Sequence, residues 1–199
     1  MSHLRPALVL LLLFTVLTGF AYPLAVTGIG QVIFPAQANG SLITQDGRVI
    51  GSDLIGQAFM SDRYMWPRPS ATSASDPTNP TQTVDVPYNA AASTGSNLGP
   101  TSAKLAGRLT QSSEAWKESG FVLPIPGDAI TTSGSGLDPH ISPAYAQAQV
   151  ARIARARNLP EAQVRQLIEV STEGRFLGAV GEPRVNVLQV NQALDRLRS

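Results

Sequence analysis

The chain opens on its longest hydrophobic run. From Pro6 to Phe34 no charged side chain interrupts a series rich in Leu, Val, Phe, Ala and Gly, and the next charge after Arg5 is Asp46. As a helix this stretch would reach roughly 40 Å at 1.5 Å per residue, against a bilayer hydrocarbon core of about 30 Å. It predicts a membrane-spanning helix. A cleaved export signal shares the basic start, His3 and Arg5, and a small-x-small site such as Ala36-Gln37-Ala38. The apolar core of such a signal is only about 7–15 residues long, so the retained anchor is the reading carried forward. Arg5 precedes the span and no Lys or Arg follows it before Arg48. The positive-inside rule then puts the N-terminus in the cytoplasm and the rest outside. Thr15 and Gly19, with Thr18 beside them, form a small-xxx-small face that invites close packing by another helix.

Beyond Ala36 the chain turns polar and the apolar period changes. Leu42-Ile43-Thr44-Gln45 and Arg48-Val49-Ile50-Gly51 are β-prone runs joined by Asp46-Gly47, which favours a two-residue type I′ hairpin turn. Phe59 to Ser70 concentrates Phe59, Tyr64, Met65 and Trp66 and closes on Pro67-Arg68-Pro69-Ser70. Large side chains this dense predict core packing or a lid over the sheet. Ala71 to Asn97 offers little to bury, and Asp76-Pro77-Thr78-Asn79-Pro80 signals turns, so this segment reads as a surface loop. Pro100 opens a helix to Lys117, with Leu105 and Leu109 four apart and Trp116 further on. Phe121-Val122-Leu123 and Ala129-Ile130-Thr131 read as short strands.

The last third is helical. Ser142 is a good N-cap and Pro143 a good first helical residue for a helix to Arg157 that shows Ala146, Val150, Ile153 and Ala154 on one face. Pro160 opens the next, with Val164, Leu167 and Ile168 as its stripe and Gly174 as its end. Glu182 to Val187 predicts a strand, and Leu188 to Leu197 a final helix. With residues 1–35 as anchor, residues 36–199 are long enough for one domain with a real core. The fold class expected is α+β: an extracytoplasmic domain with a small mixed sheet and several helices.

Composition narrows the chemistry. The chain carries 15 Lys+Arg against 14 Asp+Glu, and leaving Arg5 aside the two balance. A neutral domain has no net field to gather nucleic acid or anionic lipid. There is no cysteine, which excludes disulfides, zinc–thiolate sites and thiol nucleophiles. His140 is the one histidine after the span, so a histidine-rich metal site is excluded and none is expected. Arg152, Arg155 and Arg157 read as a solvated or partner-facing helix edge.

One constellation has the residue types of a hydrolase. Ser133 or Ser135 could serve as nucleophile, with His140 as base and Asp138 orienting it. Asp138-Pro139-His140 is too local to place that geometry easily, and no G-x-S-x-G elbow is present. The bland reading is a structured loop in which His140 braces the next helix. Gly134-Ser135-Gly136 is not a phosphate-binding loop, because no Gly-Lys-Ser/Thr follows.

Five stretches together carry a resemblance. They are Gly51 to Gln57 (GSDLIGQ), Arg68-Pro69-Ser70, Gly95 to Pro100 (GSNLGP), Ser133 to Ser142 (SGSGLDPHIS) and Leu177 to Val187 (LGAVGEPRVNV). In this order, behind one N-terminal span, they resemble the C subunit of the Kdp potassium-transporting P-type ATPase. The resemblance implies a non-catalytic accessory subunit in the bacterial inner membrane, its domain in the periplasm. Its partners would be an ATP-hydrolysing P-type ATPase subunit, a channel-like potassium-translocating subunit and a small membrane peptide. ATP and K+ would be handled by the complex rather than bound here. It further implies a role as catalytic chaperone that raises the ATPase subunit's affinity for ATP, linked to the helix around Gln149 and Arg152. A periplasmic domain cannot touch cytoplasmic ATP, so that effect would have to be coupling through a partner's two states. The same position suits a domain that shapes potassium access, with Asp128 or Asp138 as the carboxylates for it. The alternative is a stand-alone membrane-anchored hydrolase using Ser135 and His140.

Overall fold

The computed structural model describes residues 3–119, 121 and 124–197. They belong to two compact units, Met1–Ser52 and Asp53–Ser199.

In the first unit the hydrophobic run forms one helix, Leu4–Ile33, long and apolar enough to cross a membrane. It comprises α1 (Leu4–Val16), a π-helical turn at Leu17–Ala21 and α2 (Tyr22–Ile33). The π turn has a local cause. Pro23 has no N–H to give, and its ring collides with the carbonyl four residues back, that of Gly19. The helix widens there, and the Tyr22 N–H reaches the Leu17 carbonyl, five residues away. A short α3 (Pro35–Ala38) leads into β1 (Leu42–Gln45) and β2 (Arg48–Ser52), an antiparallel hairpin. Asp46 and Gly47 both have positive φ, 50° and 74°, the type I′ turn expected of Asp-Gly.

The second unit is α+β. β3 (Ser73–Ser75) and β4 (Thr83–Asp85) pair antiparallel within the expected surface loop. Their turn is closed by Asp76, whose Oδ1 accepts from the Thr78 hydroxyl and N–H at 2.6 and 2.7 Å. Those hydrogen bonds hold the Asp76 carboxyl below its ordinary pKa. Next come α4 (Ala103–Glu118), N-capped by Ser102, and α5 (Gly127–Ile130). β5 (His140–Ile141) leads through the Ser142 cap and Pro143 into α6 (Pro143–Ala148) and α7 (Val150–Arg157). Asn158, at φ 54°, caps α7 in the left-handed conformation. α8 (Glu161–Val170), β6 (Thr172–Glu173), β7 (Arg184–Asn186) and α9 (Val187–Arg196) complete the chain. β7 lies between β5 and β6, antiparallel to both.

The core sits where α6–α9 meet this sheet. Val150, Ile153 and Ala154 from α7, Val164 and Ile168 from α8, and Val187, Val190 and Leu194 from α9 are buried around Val185 and Ile141. The spacings are the i, i+3, i+4 positions that share one helix face, and burying each large side chain stabilises the fold by about 1.5–3 kcal/mol. Met65, Trp116 and Tyr145 join the same cluster.

Several expectations change in detail. Among the described residues the strands form three small antiparallel sheets rather than one mixed sheet. Ala129-Ile130-Thr131 is not a strand. Pro126 and Asp128 start the helical turn α5, and the Trp116 indole N–H holds the Ala129 carbonyl at 3.1 Å. Of the other expected strand, Val122 and Leu123 lie outside the described residues. The helix expected from Pro143 to Arg157 is two helices, parted at Gln149.

Candidate functional site

The sequence packs Phe59 to Ser70 with large side chains, and the structure shows why the stretch is ordered without a sheet around it. A segment without helix or strand of its own must still satisfy the backbone it takes out of water. Here side chains do almost all of it. The Ser61 carbonyl takes the Trp66 indole N–H at 3.0 Å, and those of Asp62 and Tyr64 take the Arg152 guanidinium at 2.7 and 3.1 Å. Arg157 Nε donates to the Arg63 carbonyl at 2.6 Å. Asn191 brackets Met65, accepting from its N–H at 2.7 Å and donating to its carbonyl at 3.0 Å. Gln149 brackets Trp66 in the same way at 2.8 and 3.1 Å. The Tyr145 and Tyr88 hydroxyls donate to Pro67 and Arg68, and the Ser133 N–H to Pro69. Every carbonyl from residue 61 to residue 69 is thus taken, and two side-chain amides stand in for the neighbouring strands a sheet would supply.

Gln149 and Arg152 sit at the centre of this strap. Gln149 is fully buried at the break between α6 and α7, and its Oε1 also accepts from Arg152 Nη2 at 2.6 Å. The Arg152 guanidinium stacks on Trp66, 3.8 Å from the ring centroid, an arrangement that favours Arg over Lys. Burial lowers its pKa to about 10, opposed by the Asp62 carboxylate; it stays charged at neutral pH. Trp66 continues into a ring cluster with Trp116, Tyr145 and Phe121. Burial pushes the Tyr145 and Tyr88 hydroxyls well above their ordinary pKa, so both remain donors to the strap. A cavity of about 230 Å³ opens beside Gln149, Arg152, Arg155 and Arg165.

A second feature adjoins the strap. The loop Ser133 to His140 is pinned against three others. Ser70 Oγ donates to the Gly136 carbonyl at 2.8 Å, Ser93 Oγ to the Ser135 carbonyl at 3.0 Å, and the Gly56 N–H to the Leu137 carbonyl at 2.8 Å. Gly136 has φ 70°, and a Cβ there would fall 2.5 Å from Thr72 Cγ2 and 2.7 Å from the Thr94 carbonyl oxygen. A Cβ on Gly95 would meet the Gly134 carbonyl oxygen at 2.7 Å. Backbone touches backbone here, and only glycine allows it.

The Ser–His–Asp constellation is not assembled. Ser133 Oγ accepts from the Gly136 N–H at 2.8 Å and Ser135 Oγ from the Leu137 N–H at 3.1 Å. They lie 3.3 Å from each other, and no hydrogen bond joins either to His140 among the described residues. Asp138 accepts from the His140 N–H at 3.0 Å, lies 3.7 Å from His140 Nδ1 and pairs with Arg68 at 3.1 Å, so the acid and the base are neighbours but neither serine joins them. Asp128 accepts from the N–H and hydroxyl of Ser142 at 2.7 and 3.0 Å, steadying the cap of α6. Burial pushes the Asp138 carboxyl up, but the hydrogen bonds from His140 and the charge of Arg68 together outweigh it, and its pKa is lowered from 3.8. A carboxyl lowered on folding contributes stability above its unfolded pKa and loses it as pH falls through the folded value. Asp138→Asn is therefore expected to lower the melting temperature at pH 7. It should also flatten the fall in melting temperature below about pH 4. A pH series of thermal melts on both proteins checks this; an unchanged acid limb would contradict it.

The family model described as K+-transporting ATPase, c chain (KdpC) matches residues 4–196. The chain belongs to the KdpC family. It is 58% identical to the potassium-transporting ATPase KdpC subunit of Bradyrhizobium diazoefficiens, over 98% of both chains. It is 56% identical to that of Methylobacterium nodulans, over 99% of this chain and 98% of the other. With that of Rhodopseudomonas palustris the figure is 57%, over 98% and 97%.

All five KdpC-like stretches supply contacts to the pinned loop or the strap, through Gly56, Arg68 to Ser70, Gly95, Ser133 to His140 and Val187, whose N–H donates to the Pro139 carbonyl at 3.0 Å. Gln149 and Arg152 lie together on the strap, away from the loop's serines. Thr15 and Thr18 are in the apolar helix, their hydroxyls bonded back to the Leu11 and Phe14 carbonyls at 2.7 and 2.6 Å. Gly19 stands in the π turn with open space where a Cβ would be. The arginine edge needs correction: Arg155 is exposed, but Arg152 and Arg157 point into the strap. Arg157 is 5% exposed, and donates also to the Leu194 carbonyl at 3.0 Å and Asp195 at 2.7 Å. Arg157 and Asn191 were legible in one respect. Each occupies an apolar-face position of its helix, i+3 from Ala154 and i+4 from Val187, where a polar group needs buried partners.

Proposed function

We propose that this chain is the non-catalytic accessory subunit of a high-affinity, ATP-driven potassium uptake complex of the bacterial inner membrane. One span holds it, N-terminus in the cytoplasm, with residues 36–199 as the periplasmic domain. It assembles and stabilises the P-type ATPase subunit, the channel-like potassium-translocating subunit and the small membrane peptide. ATP and K+ are handled by those partners. The near-full-length kinship with chains named as potassium-transporting ATPase subunits carries this reading.

The geometry favours a rigid binding module. The Gln149 amide and both Arg152 Nη groups hydrogen-bond within the strap, which supports an indirect link to ATP affinity. They fix a surface that one conformation of the ATPase subunit contacts better than the other, and such differential contact shifts the affinity elsewhere. In the membrane, Thr15, Thr18 and Gly19 form the face on which a partner helix packs, the hydroxyls being satisfied within their own helix. Removing this chain while keeping the other subunits is expected to abolish potassium-stimulated ATP hydrolysis in purified membranes, and supplying it again to restore it. Full hydrolysis without it would overturn the reading.

A further inference from the structure

Between β6 and β7 the chain makes a protruding hairpin whose tip breaks a local rule. The turn is Phe176-Leu177-Gly178-Ala179, closed by the Ala179 N–H donating to the Phe176 carbonyl at 3.2 Å. Leu177 and Gly178 have φ 52° and 73°, a type I′ turn. Its first central position favours Asn, Asp or Gly, because a side chain with positive φ is strained. Leucine there gives the fold nothing in return, since it is 85% exposed. Phe176 and Val180, which bridge across the turn at 2.9 and 3.0 Å, are 70% and 64% exposed. Three large apolar side chains stand together in water on a preorganised tip. A strained residue kept at no benefit to folding points to function.

The charges at its base decide what it meets. Arg175 pairs with Glu182 at 2.8 Å and Arg184 with Glu173 at 2.9 Å. No basic residue of the hairpin is left over to seek anionic headgroups, which a membrane-docking loop would need. A second copy of this chain is the other protein occupant, and crosslinking from the tip separates it from a partner subunit. We propose that this tip is a docking knob, with Phe176, Leu177 and Val180 inserting into an apolar, uncharged recess on another protein subunit of the same complex. The inference rests on the accessory-subunit reading and adds the surface that does the binding. Leu177 is the central anchor, desolvated on docking, with the two ion pairs as rim.

The test places a photo-crosslinking benzoylphenylalanine at Leu177 in the full chain, expressed with the other subunits in native membranes. Irradiation is expected to give one discrete adduct with one partner subunit, identified by mass spectrometry. Leu177→Asn, which suits a type I′ turn, should keep or raise the melting temperature while cutting recovered partner by about tenfold or more, as loss of a central anchor does. Adducts only with lipid, or only with a second copy, overturn the proposal, as does a co-purifying complex with no adduct and normal recovery in Leu177→Asn. Those results leave the accessory-subunit reading standing. A wild-type chain that recovers no partner overturns both.

Discussion

Gln149→Leu is expected to destabilise the second unit by roughly 2–6 kcal/mol, since two buried backbone groups lose their partners at about 1–3 kcal/mol each. Leucine fills much the same volume but can neither accept from the Trp66 N–H nor donate to its carbonyl. Arg152 Nη2 would lose one of its two acceptors as well, keeping only the Tyr64 carbonyl. For a domain of this size each kcal/mol shifts the melting temperature by about 2–4 °C, so a drop of about 10 °C in the tryptophan fluorescence melt is the central expectation. The same experiment separates bracing from nucleotide contact. If Gln149 acted by touching ATP, Gln149→Leu would leave the melt unchanged and alter only the complex's apparent ATP affinity. A melt within 1 °C of wild type would contradict the strap account.

Gly136→Ala is the second large effect. Its Cβ would be forced to within 2.7 Å of the Thr94 carbonyl, at φ 70°. Left-handed strain costs about 1–3 kcal/mol and overpacking about 1–3 more, a loss of similar size to that of Gln149→Leu. Gly134→Ala, two residues earlier, is the internal control. Its Cβ meets nothing within 4 Å and its φ is not positive, so a change within about 0.5 kcal/mol is expected. Equal effects of the two on thermal unfolding would show that the loop's glycines are not there for close backbone approach.

The long apolar N-terminal helix, the Asp46-Gly47 hairpin, the Ser142–Pro143 cap and the apolar faces of α7–α9 were legible in the sequence, because each is set by local pattern. The strap was not. Its partners are spread over Tyr88, Ser133, Tyr145, Gln149, Arg152, Arg157 and Asn191, so the hydrogen bonds that order residues 61–69 have no sequence period. The π turn is traceable afterwards to Pro23, but apolar composition conceals it. Ala129-Ile130-Thr131 looked like a strand on β-propensity; Pro126 and the contact from Trp116 decided otherwise. The resemblance told which loops mattered, and the structure gives a physical reason for Gly95 and Gly136. The candidate triad failed at its nucleophile: Asp138 lies beside both Arg68 and the His140 ring, but the serines face their own loop.

The most direct measurement is a mild-detergent pull-down of the tagged full-length chain from its native membrane, with mass spectrometry of what elutes. The account predicts a P-type ATPase chain and a multi-span channel-like chain in near-equal amounts with this one. Recovery of this chain alone, from membranes shown to contain both, would contradict it.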